Sequence, residues 1–88
     1  MFFRKKKIKE DYDHLFLDQY RALNKIHQQA LEEPDYIIKE SLLEIVINKY
    51  DTLLEYIEMG AKQDKEHFIS LRKHAQEELD TVRSINEH

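Results

Sequence analysis

The chain has 88 residues, of which 41% are hydrophobic and 36% are charged, and its formal net charge is −4. This length accommodates one small domain, and this composition is that of a folding chain with a highly charged surface. The sequence has no cysteine, which excludes disulfides and cysteine nucleophiles, and its single glycine excludes the glycine-rich loops that bind phosphates or dinucleotides.

The charges are distributed unevenly along the chain. The first nine residues carry five basic side chains and no acid, whereas the rest of the chain has 9 basic and 18 acidic residues. This asymmetry predicts a basic flexible arm over residues 1–8, followed by one helical domain over residues 9–88. The arm is either a solvated terminus or a segment that contacts an anionic membrane or a nucleic acid. Those contacts would be made by Arg4, Lys5, Lys6, Lys7 and Lys9.

A first helix is predicted over residues 9–32. Its apolar residues recur at steps of three and four, which places them on one face of a helix, and a wholly polar stripe that includes His14 and Asp18 occupies the opposite face. The apolar face consists of Tyr12, Leu15, Phe16, Leu23, Ile26, Ala30 and Leu31, with Tyr20 beside it.

A second helix is predicted over residues 35–59. Pro34 lacks an amide hydrogen and is expected in its first turn, with Glu33 or Asp35 as the cap. This segment is the most apolar part of the chain, and its apolar residues cover more than one face. Because such a helix has to be covered on two sides, we expect it to be the central one.

A third helix is predicted over residues 64–85. Gly60 is expected to end the second helix as a left-handed cap, and Asp64 is expected to cap the start of the third. The apolar seam of this helix is narrower than that of the second helix and consists of Phe68, Leu71, Ala75, Leu79, Val82 and Ile85.

Three helices with short connections predict an all-α fold, an antiparallel three-helix bundle of up-down-up topology. The alternative is a helical hairpin in which the second and third helices continue through Gly60 and pair with a second copy as a coiled-coil dimer. A glycine inside a helix costs only about 1 kcal/mol, so the sequence leaves this alternative open.

Two acid–histidine pairs have the spacing of metal ligands on a helix. Asp11 precedes His14 by three residues, and Asp64 precedes His67 in the same way. In an up-down-up bundle both pairs lie at the same end. His14, however, belongs to the polar stripe and is expected to face solvent, where such pairs stabilise a helix without any metal. We therefore expect no metal site and no cofactor, and keep a helical metal–carboxylate protein as an alternative function.

The serines fall within predicted helices, without the strained turn that presents a nucleophile. A slim bundle also offers little concave surface for a substrate. The sequence therefore predicts neither catalytic residues nor a small-molecule substrate.

Several short motifs carry a family resemblance. They are an aromatic and basic start at residues 2–7, Tyr12-Asp13 before a helix, Pro34, and the run Lys49-Tyr50-Asp51-Thr52-Leu53-Leu54-Glu55. Together they resemble the YaaL family of small bacterial proteins, which is typical of Firmicutes.

The resemblance ends near Ala61, so the third helix would be an extension. The family's usual tryptophan in the first helix is absent, and Glu55 and Met59 replace its basic residues. The resemblance implies a small helical non-enzyme of Gram-positive, cytoplasmic origin, and it brings no functional residues.

No run in the sequence approaches the roughly 18 apolar residues of a membrane-spanning helix. Acids at Glu10, Asp11 and Asp13 stand where a signal peptide would have its apolar core. Both observations lead us to expect a cytoplasmic protein.

The function predicted from the sequence is that of a small cytoplasmic helical module for protein–protein interaction, with no catalytic activity. Its partner is either another protein or a second copy in a homodimer. An alternative is a peripheral adaptor whose basic arm makes weak contacts with an anionic membrane or with nucleic acid. The interaction face is expected on the second helix and consists of Ile38, Leu42, Ile45, Tyr50, Leu53 and Ile57.

Overall fold

The computed structural model describes residues 11–88, which form three α-helices and no strand. The helices are α1 (Tyr12–Glu32), α2 (Tyr36–Glu58) and α3 (Lys65–Asn86). α2 packs against both α1 and α3. The predicted all-α three-helix bundle and the central position of the second helix are confirmed.

Each helix begins directly after an aspartate. The side chains of Asp11, Asp35 and Asp64 accept hydrogen bonds of 2.9–3.1 Å from backbone N–H groups two or three residues further along. These bonds satisfy amides that the first turn of a helix leaves without a partner. Two of these caps, Asp35 and Asp64, were expected from the sequence.

The predicted start of the first helix, near Lys9, is too early. Asp11 has φ −90° and ψ 88°, which is not helical, so α1 begins at Tyr12. An aspartate whose carboxylate accepts a backbone N–H is more stable as a cap than inside the helix, where it competes with the backbone bonds. The predicted arm, residues 1–8, lies outside the described residues.

Pro34 ends α1 and does not open α2. Its ring restricts the preceding Glu33 to extended backbone, and Glu33 has φ −80° and ψ 119° at the end of α1. Asp35 is also extended, with φ −88° and ψ 113°, so α2 begins at Tyr36. The prediction that Pro34 lies in the first turn of the second helix is therefore wrong.

Gly60 ends α2 as predicted. Its φ is +125°, and its N–H donates to the carbonyl of Ile57 at 3.1 Å. The next residue, Ala61, donates to the carbonyl of Tyr56 at 2.9 Å and is itself buried. This pair of bonds is the Schellman motif, which turns the chain out of the helix. The alternative in which α2 and α3 form one continuous helix is therefore excluded for this chain.

The helices enclose one apolar core. α1 and α3 meet only through side chains, because their Cα atoms stay more than 8 Å apart. The rings of Phe16 and Phe68 touch edge to face at 4.8 Å between centroids, and Tyr20 contacts Phe68 in the same way at 5.3 Å. The buried residues are Phe16, Leu23, Ala30, Leu43, Val46, Ile47, Tyr50, Leu53, Ala61, Phe68, Ala75, Leu79 and Val82.

None of the helices formed by residues 11–88 combines the length and the apolar character that crossing a membrane requires.

Gly60→Ala tests the end of α2. A Cβ at this position would meet no atom within 4 Å, so the cost is the backbone strain of an L residue at φ +125°. We expect a loss of about 1–2 kcal/mol in the free energy of unfolding, measured by urea titration. The neighbouring Met59→Ala is the control, because Met59 is exposed and has a right-handed helical backbone. Equal losses in the two variants would contradict this account.

Candidate functional site

Exposed apolar side chains collect at the end of the bundle where α1 ends, α2 begins and α3 ends, which we call the open end. Of the nine large apolar side chains that are strongly exposed in residues 11–88, five lie here, and Ile37 is 71% exposed. Exposed apolar patches of this kind mark sites of interaction with other molecules. The five residues are Leu31, Tyr36, Ile37, Ile38 and Ile85.

Polar bonds fix the end of α3 beside the start of α2. The amide of Asn86 donates to the backbone carbonyl of Tyr36 at 2.9 Å and to the Glu40 carboxylate at 2.8 Å. Arg83 donates to Glu44 at 2.7 Å and lies 3.6 Å from Glu40. The hydrogen bond to Glu44 is the main reason why the pKa of Arg83 is raised above its ordinary value. The arginine therefore stays charged, and these polar bonds hold α2 and α3 together at the open end.

A cleft of about 270 Å³, which we call the end cleft, lies between α2 and α3 at the open end. The Nζ of Lys39 lies 5.6 Å from the centre of the Tyr36 ring, within the range of a cation–π contact. Three of its lining residues are apolar or aromatic and three are polar or charged, so it can contact an apolar side chain and a polar or charged group together. Its lining residues are Tyr36, Lys39, Glu78, Thr81, Val82 and Ile85.

Glu78 connects the end cleft to α1. Its carboxylate lies 2.8 Å from the Nε2 of His27, and the two side chains are 39% and 24% exposed. This contact bridges the gap between α1 and α3, whose backbones do not approach each other closely. The wall of the cleft is thus held by a polar pair between two helices that are not adjacent in sequence.

The open end is acidic. Residues 29–40 and 83–88 contain five acids and two bases, a net charge of −3. Both bases are already engaged, since Arg83 pairs with Glu44 and Lys39 lies over Tyr36. The exposed apolar side chains are therefore surrounded by excess negative charge. The acids are Glu32, Glu33, Asp35, Glu40 and Glu87.

The interaction face predicted on the second helix does not lie on one surface. Tyr50 and Leu53 are buried in the core, with 4% and 0% exposure, and cannot contact a partner while the bundle is closed. They face inward because α1 and α3 cover α2 from both sides. Leu42 and Ile57 are half-buried against the core, whereas Ile38 and Ile45 are exposed. Of the predicted face, only Ile38 belongs to the open end.

The basic residues predicted to contact anionic surfaces, Arg4, Lys5, Lys6, Lys7 and Lys9, lie outside the described residues.

The two acid–histidine pairs do not form a common site. Asp11 and Asp64 cap their helices through backbone N–H groups, and His14 pairs with Asp18 at 3.3 Å on the exposed polar stripe. Residues 11–88 contain no group of three or more side chains that could hold a metal ion. The chemistry of these residues is that of helix capping and surface pairing.

A second depression, also of about 270 Å³, lies between α2 and α3. Arg83 and Glu44 line it and are paired with each other at 2.7 Å. Asn48, Gln76 and the buried residues Ile47 and Leu79 complete its walls. Since its charged groups already satisfy each other, it offers less to a ligand than the end cleft does.

Sequence reasoning missed the open end, although one signal for it was present. Tyr36, Ile37 and Ile38 are consecutive in the first turn of α2. Successive helical residues are 100° apart, so three in a row cannot share one buried face. Leu31 and Ile85 were predicted to lie on the apolar faces of their helices, but they are 55% and 46% exposed. They lie in the last turns, beyond the point where neighbouring helices cover them.

No family model, no curated protein and no solved structure matches this chain. The resemblance to the YaaL family stays a prediction.

Tyr50 makes the stability of the fold depend on pH in the alkaline range. Burial is the main cause that raises the pKa of its phenol above the ordinary 10.0, and the nearby Tyr20 and Glu78 raise it further. The folded state thus holds the proton more tightly than the unfolded chain. The stability that this contributes is complete below pH 10 and is lost as the pH rises through the folded-state pKa.

The free energy of unfolding of the wild type should fall as the pH rises above 10, and we expect Tyr50→Phe to make the slope of this fall smaller. The measurement is urea titration at a series of pH values. At pH 7 the change should be about 1 kcal/mol or less. Tyr36→Phe, at an exposed tyrosine, is the control and should keep the slope of the wild type. An unchanged slope in Tyr50→Phe would contradict the assignment.

Proposed function

We propose that the chain is a small protein–protein interaction module without catalytic activity, and that its contact surface is the open end. The observation that carries this proposal is the group of five exposed apolar side chains at the open end, of which Tyr36 and Ile85 line the end cleft. Full burial of a large apolar side chain is worth about 1.5–3 kcal/mol, and these side chains, which the fold already covers in part, would gain a fraction of that from a partner. The sequence arguments given above place this module in the cytoplasm.

The polar residues of the described chain support a non-catalytic role. The hydroxyls of Thr52 and Thr81 donate to backbone carbonyls four residues earlier, at 3.2 and 3.0 Å. Many of the charged residues form helix caps or surface pairs, such as Arg72 with Asp51 at 2.6 Å. Groups used in this way hold the helices in place and favour an interaction surface over a reaction centre.

A second candidate function is that of a peripheral adaptor, favoured by the five positive charges within residues 4–9. Such a segment binds an anionic lipid surface or phosphates with about 1 kcal/mol per basic residue and with strong salt dependence. The net charge of −9 on the remainder of the chain opposes this binding. For this reason the open end is the preferred surface.

Ile37→Glu tests the proposed function. Ile37 is the most exposed apolar residue of the open end, so the substitution should change the stability of the fold by no more than about 0.5 kcal/mol. It should weaken the binding of a protein partner at least about tenfold, because it removes apolar contact and leaves in its place a charged side chain that is costly to desolvate. The measurement is affinity capture from cytoplasm with the immobilised full chain, followed by calorimetry with each purified partner.

Ile69→Glu is the matched control, since Ile69 is also exposed, at 40%, but lies near the start of α3, away from the open end. Wild type and control should retain the same proteins with equal affinity. If no retained protein distinguishes Ile37→Glu from the control, the proposed function is wrong.

A further inference from the structure

The open end and the basic arm of this chain are complementary in chemistry. The open end has apolar residues around a cleft and an excess of acids. Residues 2–9 combine Phe2, Phe3 and Ile8 with five basic side chains and contain no acid. An aromatic and basic segment is the kind of ligand that such a surface would select.

We propose that the end cleft of one molecule binds residues 2–9 of a second copy of the same chain. This inference rests on the proposed function, because it names the partner of the open end. One phenylalanine of the arm would enter the cleft between Tyr36 and Ile85. The basic side chains behind it would lie against the acids of the open end.

The aromatic residues of the arm, Phe2 and Phe3, favour the open end over the other acidic surfaces of the chain. Residues 11–16 and 55–68, at the opposite end of the bundle, contain six acids and two bases, so charge alone does not distinguish the two ends. The open end, however, has five of the strongly exposed apolar side chains, and two of them, Tyr36 and Ile85, line the end cleft. Burying a phenylalanine there gains the apolar contact that a purely ionic site lacks.

The reach of the arm favours a second copy over the same molecule. The arm joins the described chain at Asp11, at the start of α1, whereas the end cleft lies level with the last turns of α1 and α3. At 1.5 Å per residue, residues 27–31 of α1 are about 24–30 Å from Asp11 along the helix axis. The eight Cα–Cα steps from Phe3 to Asp11 span at most about 29 Å when fully extended. Binding within one molecule would therefore require an arm stretched to its limit.

An antiparallel arrangement of two molecules removes this difficulty. In that arrangement the start of α1 in each molecule lies beside the open end of the other. Both arms then bind at once, the contact is the same in both directions, and the assembly closes as a two-fold dimer. Two linked contacts also bind more tightly than one, because the second forms at high effective concentration.

The test is sedimentation equilibrium of the full chain over a range of concentrations. We expect a monomer–dimer equilibrium that weakens as salt rises from about 0.05 to about 0.5 M, since salt screens the charges of the arm. The arm variant, Lys5→Gln/Lys6→Gln/Lys7→Gln, should weaken dimerisation at least about tenfold. The cleft variant, Ile85→Lys, should do the same.

Ile69→Lys is the matched control for the cleft variant, because both residues are exposed isoleucines of α3, at 40% and 46%. It should dimerise like the wild type. Circular dichroism of each variant should show unchanged helix content, which separates loss of the contact from loss of the fold.

Mixing the two variants gives the sharpest result. The arm variant retains an intact cleft, and the cleft variant retains an intact arm. The mixture should therefore form heterodimers through one contact more readily than either variant forms homodimers. Energy transfer between dyes on the two variants measures this association. No other interface would be restored by mixing these two defects.

Three results would overturn the inference: a monomer at all concentrations, a dimer that neither variant affects, or equal loss of dimerisation in Ile69→Lys. If the chain is a monomer and its arm binds nucleic acid or vesicles that contain phosphatidylserine, the partner of the arm is one of those and the inference is wrong. A monomer that captures another protein, with capture lost in Ile37→Glu, would overturn the inference and leave the proposed function standing. If the chain neither dimerises nor captures a protein through Ile37, both the inference and the proposed function are wrong.

Discussion

The need to cover α2 from two sides shapes the whole bundle. α2 buries Leu43, Val46 and Leu53 almost completely, and this requires α1 on one flank and α3 on the other. Because α2 stands between them, α1 and α3 keep their backbones more than 8 Å apart and meet through large side chains such as Phe16 and Phe68. His27 of α1 and Glu78 of α3 add a polar contact, and the end cleft opens between α2 and α3.

The open end results from where the helices stop. Pro34 and Asp35 set the start of α2, and its first turn presents three consecutive apolar residues that only the last turns of α1 and α3 border. Asn86 and Arg83 fix α3 against α2 with polar bonds, so the apolar side chains there cannot be covered by a shift of the helix. The same polar residues that stabilise this corner thus keep its apolar side chains exposed.

The open end and residues 2–9 carry opposite charges. The acids around the open end discourage contact between two such surfaces, since like charges would face each other across an apolar patch. A partner that brings positive charge with aromatic residues meets no such repulsion, and the chain carries one such segment at residues 2–9. In the proposed dimer, the strong separation of charge along the sequence contributes to the contact between the two molecules.

The sequence by itself determined the three helices, the central place of α2, and the caps at Gly60 and Asp64, and it reduced the cap of α2 to Glu33 or Asp35. These features depend on periodicity and on the conformation of single residues, which are local properties. The tertiary structure alone decided which apolar residues remain exposed. Tyr50 and Ile38 are both apolar positions of α2, yet one is buried and the other is 47% exposed. The difference depends on how far each neighbouring helix extends and on the rotation of α2 between them, and both are set by the packing of distant residues.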